Sequence, residues 1–223
     1  MAVYGFAEPN TNENGEHNYF NDYGRTKSLA EKVYIDWLNE DPDNRSLVII
    51  RPTVIFGKGN RGNVYNLFNQ INKGVFALIG NGKNVKSMAY VENVVGFFHY
   101  SLGFENGIHI YNYIDKPDLN MNELILEVRK TLFNKETVGI KIPYFLGYLI
   151  GKLADLISMV SKKELPISTI RVKKFTSTTQ FDSSIQKKTD YKARYTLQNG
   201  LDKTLNYEFI DSLDEPKITF DTE

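Results

Sequence analysis

Apolar and polar positions follow one another in blocks along the chain, and these blocks predict strands separated by helices. Residues 46–51 form an apolar strand of the kind that is buried on both faces of a parallel sheet, and residues 107–114 predict another. Apolar residues recur at three- and four-residue steps in the segments that we predict as helices, namely 23–38, 64–73, 91–102, 122–132 and 141–160. Strands that alternate with helices indicate the α/β class.

The two ends of the chain carry further predictions. Residues 1–6 are a short apolar run that we expect to be the end of a buried strand, and Asp22 is the expected N-cap of the helix at 23–38. Residues 181–209 predict a short strand, a helix, a tyrosine-rich connection and a final helix. We expect the apolar helix at 141–160 to pack in the core rather than against a membrane surface.

Composition narrows the class of protein. The 223 residues include 27 basic and 27 acidic side chains, whereas a nucleic-acid-binding protein usually has a strongly basic face. There is no cysteine, and His17, His99 and His109 are widely separated, so we expect no metal centre. No run reaches about 18 uninterrupted apolar residues, and residues 1–6 do not have the pattern of a signal peptide. We therefore expect no membrane span and a cytoplasmic location.

The spacing Tyr-x-x-x-Lys occurs twice, at Tyr23 with Lys27 and at Tyr148 with Lys152. On a helix it places both side chains on one face, but chance alone predicts about one occurrence in this composition. Tyr148 lies within an apolar helix and is expected in the core. Tyr23 follows a polar loop, where a substrate can reach it. Tyr23 and Lys27 are therefore the candidate catalytic pair, and a surface tyrosine with an unrelated lysine is the alternative.

The chemical reason to pair a phenol with an ammonium is charge stabilisation. A free phenol has a pKa near ~10, which is too high for a general base at neutral pH. An ammonium about 4 Å away stabilises a phenolate by roughly 4 kcal/mol at an effective dielectric constant of about 20. Such a phenolate can take a proton from an alcohol.

Five short blocks appear in a fixed order along the chain: VYG at 3–5, YGRTK at 23–27 with AE at 30–31, RPTVIFG at 51–57, YVENV at 90–94, and FDSSI at 181–185 with YTLQNGL at 195–201. In this order they resemble the extended short-chain dehydrogenase/reductase superfamily, and within it the NAD-dependent sugar epimerase/dehydratase family. The resemblance covers essentially the whole chain. It implies the C-terminal part of a Rossmann-type parallel sheet that binds NAD, together with a smaller α+β substrate domain.

The resemblance also implies a division of the chain and the roles of several residues. Residues 1–57 and 88–115 would belong to the NAD-binding domain, and residues 58–87 and 116–223 to the substrate-binding domain. Tyr23 maps to the catalytic base and acid. Lys27 maps to the ammonium that stabilises the phenolate and holds the nicotinamide ribose. Pro52, Thr53 and Val54 lie where the family lines the nicotinamide and the sugar.

Three further residues are candidates for substrate binding. Lys86 falls where many members place an arginine on the substrate diphosphate, and lysine keeps the charge but loses the bidentate geometry. Asn63 or Asn66 stands where an amide often meets the nucleotide or the diphosphate. For all three, a solvated loop residue is an equally open interpretation.

The chain departs from the family pattern at its beginning. The third catalytic residue of the family, a Ser or Thr, would fall immediately before Met1, and the glycine-rich dinucleotide loop would lie further upstream. At ~30 residues per βαβ unit, the absent part is on the order of 100 residues. We therefore expect Met1 to be an internal methionine of a longer protein. One alternative for the chain itself is an inert fragment that neither binds NAD nor turns over substrate.

Two other departures concern the reaction. Met1 and Ala2 stand where sugar 4,6-dehydratases carry acidic residues, so 4-epimerisation is favoured over dehydration. The resemblance then implies an epimerase for a nucleotide-diphosphate hexose. Val54 replaces an asparagine that contacts substrate in many members, and with the apolar helix at 141–160 it leaves room for a polyprenyl-diphosphate sugar or a hydroxysteroid-like alcohol as the alternative substrate.

The resemblance also implies a possible homodimer. Members often form homodimers through the helix that bears the Tyr-x-x-x-Lys sequence. Leu29, Val33 and Trp37 on the predicted helix could form that interface, or they could face the sheet.

Overall fold

The computed structural model describes residues 1–162, 165 and 167–211, and its strands form three small sheets. In the first sheet, β1 and β5 pair in parallel along their whole length. In the second, β4 is the central strand, parallel to β2 and antiparallel to β6. The third is the short parallel pair of β3 and β7. The strands are β1 (Ser46–Pro52), β2 (Val54–Phe56), β3 (Leu78–Ile79), β4 (Val85–Tyr90), β5 (Gly107–Tyr113), β6 (Asp115–Asn120) and β7 (Lys141–Ile142).

The helices agree closely with the apolar periodicity. They are α1 (Asp22–Asn39), α2 (Asn63–Asn72), α3 (Val91–Ser101), α4 (Met121–Phe133), α5 (Tyr144–Ser161), α6 (Thr169–Thr176), α7 (Ile185–Lys188) and α8 (Leu197–Leu205). The strands β1 and β5, parallel as predicted, complete an α/β arrangement, so the predicted class is confirmed. The division into two domains stays a prediction.

Two predictions about the first forty residues need correction. The expected strand at residues 1–6 is wrong, because Ala2–Tyr4 forms a 3₁₀ turn and the Val3 carbonyl accepts from the Asn18 N–H instead of from a neighbouring strand. The N-cap of α1 is Asn21 rather than Asp22. The Asn21 side chain accepts from the Gly24 N–H at 2.9 Å, and Asp22 already lies inside the helix.

Two groups of apolar side chains form most of the core. The larger group joins α2, α4 and α8 to the sheet of β2 and β4, with Phe68, Ile125 and Leu201 fully buried. The smaller group lies around Phe97 of α3, whose ring meets Tyr111 edge-on. In the larger group α8 packs on one side of β4, and in the smaller group α3 packs on the other side. The strand β4 therefore belongs to both groups.

The predicted core position of the helix at 141–160 is wrong. Its first residues form β7, and within α5 only Gly147, Gly151 and Ala154 are buried. The large apolar side chains of α5 are exposed. Within the described part of the chain, α5 is also the helix that is long and apolar enough to cross a membrane, judged by length and composition alone.

Several apolar residues of α1 lie on an open surface as well. Leu29, Val33 and Trp37 are between 42% and 66% exposed, so in the described structure they do not pack against the sheet. Leu38 near the end of α1 packs on Leu47 and Ile49 of β1, and a polar contact links the helix to the same strand. Arg51 of β1 binds Glu31 of α1 through two nitrogens, with Nε 3.0 Å from Oε1 and Nη2 2.6 Å from Oε2. Both side chains are nearly buried, so this ion pair joins helix and strand largely out of contact with solvent.

We predict that Glu31→Gln lowers the free energy of unfolding by about 3 kcal/mol, because it leaves the buried Arg51 guanidinium without its counter-charge. Glu40→Gln is the matched control, since Glu40 pairs with Arg45 at an exposed position and the loss should stay within about 0.5 kcal/mol. Urea unfolding followed by circular dichroism measures both. A loss below about 1 kcal/mol for Glu31→Gln would contradict the assigned role of the pair.

Candidate active site

The first turn of α1 places Tyr23 at the protein surface. Gly24 is buried, and a Cβ at that position would lie 2.5 Å from the Ala2 carbonyl oxygen and 2.8 Å from the Tyr19 Cβ. Only glycine therefore allows the helix to approach the turn at Ala2–Tyr4 this closely. The neighbouring Tyr23 side chain points away from this contact and is 59% exposed.

Tyr23 and Lys27 share one face of α1, as their spacing predicts. The Lys27 Nζ lies 5.5 Å from the centroid of the Tyr23 ring. The second pair has nearly the same geometry, with the Lys152 Nζ 5.3 Å from the Tyr148 ring. Tyr148 is half-buried and stacks on Tyr144, whereas the Tyr23 ring is open to solvent. The two pairs differ in their surroundings and not in their local geometry.

The surface around Tyr23 is open in the described chain. Two grooves of about 530 and 410 Å³ run along α3, and neither is lined by Tyr23 or Lys27. A substrate that reaches Tyr23 would therefore lie outside both grooves and contact the side chains that surround the start of α1.

The end of β1 is connected to the start of α1 through the first two residues. The Met1 nitrogen donates to the Pro52 carbonyl oxygen, and Ala2 contacts the first turn of α1 at Gly24. Thr53 is buried, with its N–H donating to the Tyr113 carbonyl oxygen at 3.1 Å. Val54 begins β2 and is 40% exposed. Pro52 thus lies near the candidate pair, and the roles of Pro52, Thr53 and Val54 in binding stay predictions.

Lys86 of β4 lies beneath the end of α6. Its ammonium donates to the Lys174 carbonyl oxygen at 3.1 Å and to the Ser177 carbonyl oxygen at 2.6 Å. Burial lowers the pKa of Lys86 to about 8. These contacts give Lys86 a structural role, which is to bind the last carbonyl groups of α6. Its predicted contact with a substrate diphosphate is not tested by them.

Asn63 and Asn66 lie in the first turn of α2, which packs against α4 and β2. Asn63 is exposed and Asn66 is half-buried. The structure thus leaves the Asn63 amide accessible, and substrate binding by either residue stays a prediction.

An aromatic and basic patch near Tyr23 was not predicted. The rings of Phe6 and Phe20 lie 5.0 Å apart and are about half exposed. Lys173 lies 5.9 Å from the Phe6 ring, and Lys174 lies 4.7 Å from the Phe20 ring. We call these four residues the Phe6–Phe20 patch. It joins the loop before Tyr23 to α6, the helix whose Lys174 carbonyl oxygen accepts from Lys86.

His17 is a titratable residue that contacts α1 close to the candidate pair. The His17 Nδ1 is 2.8 Å from the Ser28 Oγ, and its ring contacts Tyr4 edge-on. Burial, with a contribution from the Arg51 charge, lowers the pKa of His17, while Glu31 opposes this effect. His17 therefore belongs to the polar network that holds α1, and it was not recognised from the sequence because its partners come from three separate segments.

Comparison with known proteins finds one matching family and several proteins of similar sequence. The family described as 3-beta hydroxysteroid dehydrogenase/isomerase matches residues 5–99. The whole chain is 50% identical to an N-acetyl-alpha-D-glucosaminyl-diphospho-ditrans,octacis-undecaprenol 4-epimerase of Escherichia coli O157:H7 and covers 67% of it. A UDP-glucose 4-epimerase of Vibrio cholerae is 28% identical over 82% of the chain, which covers 52% of that protein.

Solved structures show the same fold at low sequence identity. A UDP-glucuronic acid 4-epimerase from Bacillus cereus, solved in complex with NAD, superposes with a TM-score of 0.66 at 16% identity. The match covers 93% of this chain and 58% of that protein. The chain therefore spans between 52% and 67% of the length of these three relatives.

We predict that Gly24→Ala lowers the free energy of unfolding by about 1–3 kcal/mol, because the added methyl group overlaps the Ala2 carbonyl oxygen. Gly103→Ala is the control, since its nearest non-neighbouring atom would be 3.7 Å away, and it should be neutral or slightly stabilising. Thermal unfolding of both variants measures the difference. Equal stability of the two variants would mean that α1 can move away from Ala2 without cost.

We predict that the stability of the wild type rises with pH relative to Lys86→Met. Below about pH 8 the Lys86 ammonium is charged in both the folded and the unfolded state. Between about pH 8 and 10 the buried Lys86 has lost its proton, whereas the lysine of the unfolded chain keeps it. The free energy of unfolding therefore rises with pH in this range. The expected change in the difference between the two proteins is on the order of 2 kcal/mol between about pH 7 and pH 9.5. Urea titrations at both pH values measure it. Lys83→Met, which removes an exposed lysine, should show no such pH dependence.

Proposed function

The chain belongs to the NAD-dependent sugar epimerase/dehydratase family of extended short-chain dehydrogenases, and on this premise we propose that it carries the catalytic Tyr–Lys pair of a 4-epimerase for diphosphate-linked sugars. One observation supports the proposal most. Tyr23 and Lys27 lie side by side on an exposed face at the start of α1, in a chain that is 50% identical over its whole length to a 4-epimerase. The relatives include 4-epimerases of UDP-sugars and of an undecaprenol-linked sugar.

NAD is the cofactor that we infer, because the donor groups present suit a dinucleotide. The Tyr23 hydroxyl and the Lys27 ammonium are exposed together, and both can donate to ribose hydroxyl groups. Pro52 is the last residue of the parallel strand β1 and Thr53 follows it, and the carboxyl ends of such strands are where open α/β sheets bind their ligands. When bound, NAD would supply the acceptor and donor of the hydride at the sugar carbon.

In this proposal Tyr23 holds and moves the proton. Its phenol oxygen takes the proton from the sugar 4-hydroxyl group and later returns it to the same oxygen. The Lys27 ammonium stabilises the phenolate, since it lies next to the ring. Tyr23 also lies in the first turn of α1, where backbone N–H groups carry partial positive charge and favour an anion.

We infer that the sugar is carried on a polyprenyl diphosphate rather than on a nucleotide. The relative that acts on an undecaprenol-linked sugar is 50% identical over the whole chain, whereas the UDP-glucose 4-epimerase is 28% identical over 82% of it. Val54, at the expected sugar position, is exposed and offers no hydrogen bond. A UDP-hexose is the second candidate substrate, supported by the Vibrio cholerae relative. A hydroxysteroid-like alcohol has less support, because the matching steroid family covers only residues 5–99.

We predict that Tyr23→Phe lowers kcat by a factor of about 10²–10⁴ in the full-length protein, because it removes the group that accepts the proton. The assay measures conversion of N-acetylglucosaminyl-diphospho-undecaprenol to its 4-epimer by chromatography of the released sugar. UDP-N-acetylglucosamine is run in parallel. Turnover of the nucleotide sugar alone would select the second candidate substrate.

Matched variants test whether the effect is specific to this pair. Tyr148→Phe removes the same hydroxyl group from the second Tyr-x-x-x-Lys sequence and should leave kcat unchanged. Lys27→Met should lower kcat by at least about tenfold, whereas Lys32→Met, on an exposed part of the same helix, should not. A Tyr23→Phe protein that keeps more than about a third of its activity would refute the catalytic assignment.

A further inference from the structure

The largest feature that the proposed reaction does not use is one side of α5. Eight apolar side chains on it are each at least 40% exposed, and we call this set the α5 apolar face. They recur at three- and four-residue steps, which places them on one side of the helix. The eight residues are Phe145, Leu146, Leu149, Ile150, Leu153, Leu156, Ile157 and Val160. Together they expose an apolar area on the order of several hundred Å², at or above the largest patches of typical monomers.

Small residues hold the opposite side of α5 tightly against the protein. A Cβ on Gly147 would lie 2.5 Å from the Ile79 Cγ2, and a Cβ on Gly151 would lie 3.0 Å from the Thr169 nitrogen. Ala154, one turn further on, is buried as well. The helix therefore packs through its glycines and alanine, and this contact forces its large apolar side chains outward.

Basic side chains lie on α5 and on the adjacent helix. Lys152 lies within α5 and Lys162 is its C-cap, and α6 carries Arg171, Lys173 and Lys174. The acidic residue of α5, Asp155, is turned to α6, where it accepts from the Thr169 N–H at 3.1 Å. An apolar helix face with cations on the same and on the adjacent helix matches the boundary between acyl chains and anionic headgroups of a bilayer.

We propose that the α5 apolar face docks this protein on a bilayer that contains anionic phospholipid, with α5 lying in the plane of the interface. Spanning is disfavoured, because Lys152 and Asp155 lie in the middle of the helix and its glycine face is packed against Ile79 and α6. α6 reaches from α5 to the Phe6–Phe20 patch, so docking would bring the surface beside Tyr23 towards the headgroups. The proposal goes beyond the proposed reaction and does not depend on the carrier of the sugar.

Binding to vesicles without any sugar substrate tests the proposal. The full chain is sedimented with vesicles of phosphatidylcholine alone and with vesicles of equal parts phosphatidylcholine and phosphatidylglycerol. We expect binding to the anionic vesicles, lowered at least about tenfold by the double variant Leu149→Glu/Leu156→Glu, because two exposed side chains that docking would bury in the bilayer become charged. Val75→Glu/Leu102→Glu is the matched control; both residues are more than 70% exposed and lie outside α5 and α6, so binding should be unchanged.

Vesicle binding by two further variants separates the effects of charge and of catalysis from that of apolar insertion. Lys152→Glu/Arg171→Glu should remove the preference for anionic over neutral vesicles. Tyr23→Phe should bind vesicles like the wild type, so loss of the reaction and loss of docking are distinguishable. The proposal is overturned if the wild type binds neither vesicle, or if the glutamates in α5 leave binding unchanged. It is also overturned if the wild type does not bind and forms a dimer in solution that these glutamates dissociate, because a second copy would then cover the α5 apolar face.

Discussion

The position of the candidate site depends on one buried cation. Arg51 projects from β1 and binds both carboxylate oxygens of Glu31, the Tyr4 hydroxyl oxygen and the Glu13 carbonyl oxygen. A buried guanidinium must have its N–H groups paired, so three separate segments are held by one side chain. The apolar packing of α1 on the sheet lies towards its C-terminal end, around Leu38, so this pairing and the Gly24 contact hold the part of the helix that carries Tyr23.

Elements with strong periodicity could be predicted from the sequence, and elements that depend on their neighbours could not. β1 and β5 are apolar runs, and α2, α3 and α4 show clear three- and four-residue spacing. β6 has the sequence DKPDLN, which has no strand pattern; it is a strand because it pairs with β4. Residues 1–6 show the opposite case. Their apolar character is real, and Val3 and Tyr4 are buried, yet the burial occurs in a 3₁₀ turn against α1.

The same distinction applies to the surfaces that carry function. The sequence predicted that Tyr23 and Lys27 share a helix face, since this follows from local geometry alone. It could not predict the Phe6–Phe20 patch, because that patch forms only where α6 meets the loop before Tyr23. For α5, periodicity gave the helix but the wrong buried side. Hydrophobicity assigns the core to the large residues, whereas close packing here selects Gly147, Gly151 and Ala154.

The two Tyr-x-x-x-Lys pairs show what a catalytic motif requires beyond its spacing. Their ring-to-ammonium distances, 5.5 and 5.3 Å, are nearly equal, so local geometry cannot distinguish them. Tyr23 differs because it lies in the first turn of its helix, where the backbone favours an anion, and because Gly24 and Glu31 fix that turn beside the end of β1. Tyr148 lies in the second turn of α5, where it is half-buried and stacks on Tyr144. The surroundings of the two pairs, and not their spacing, are therefore the reason to assign the proton transfer to Tyr23.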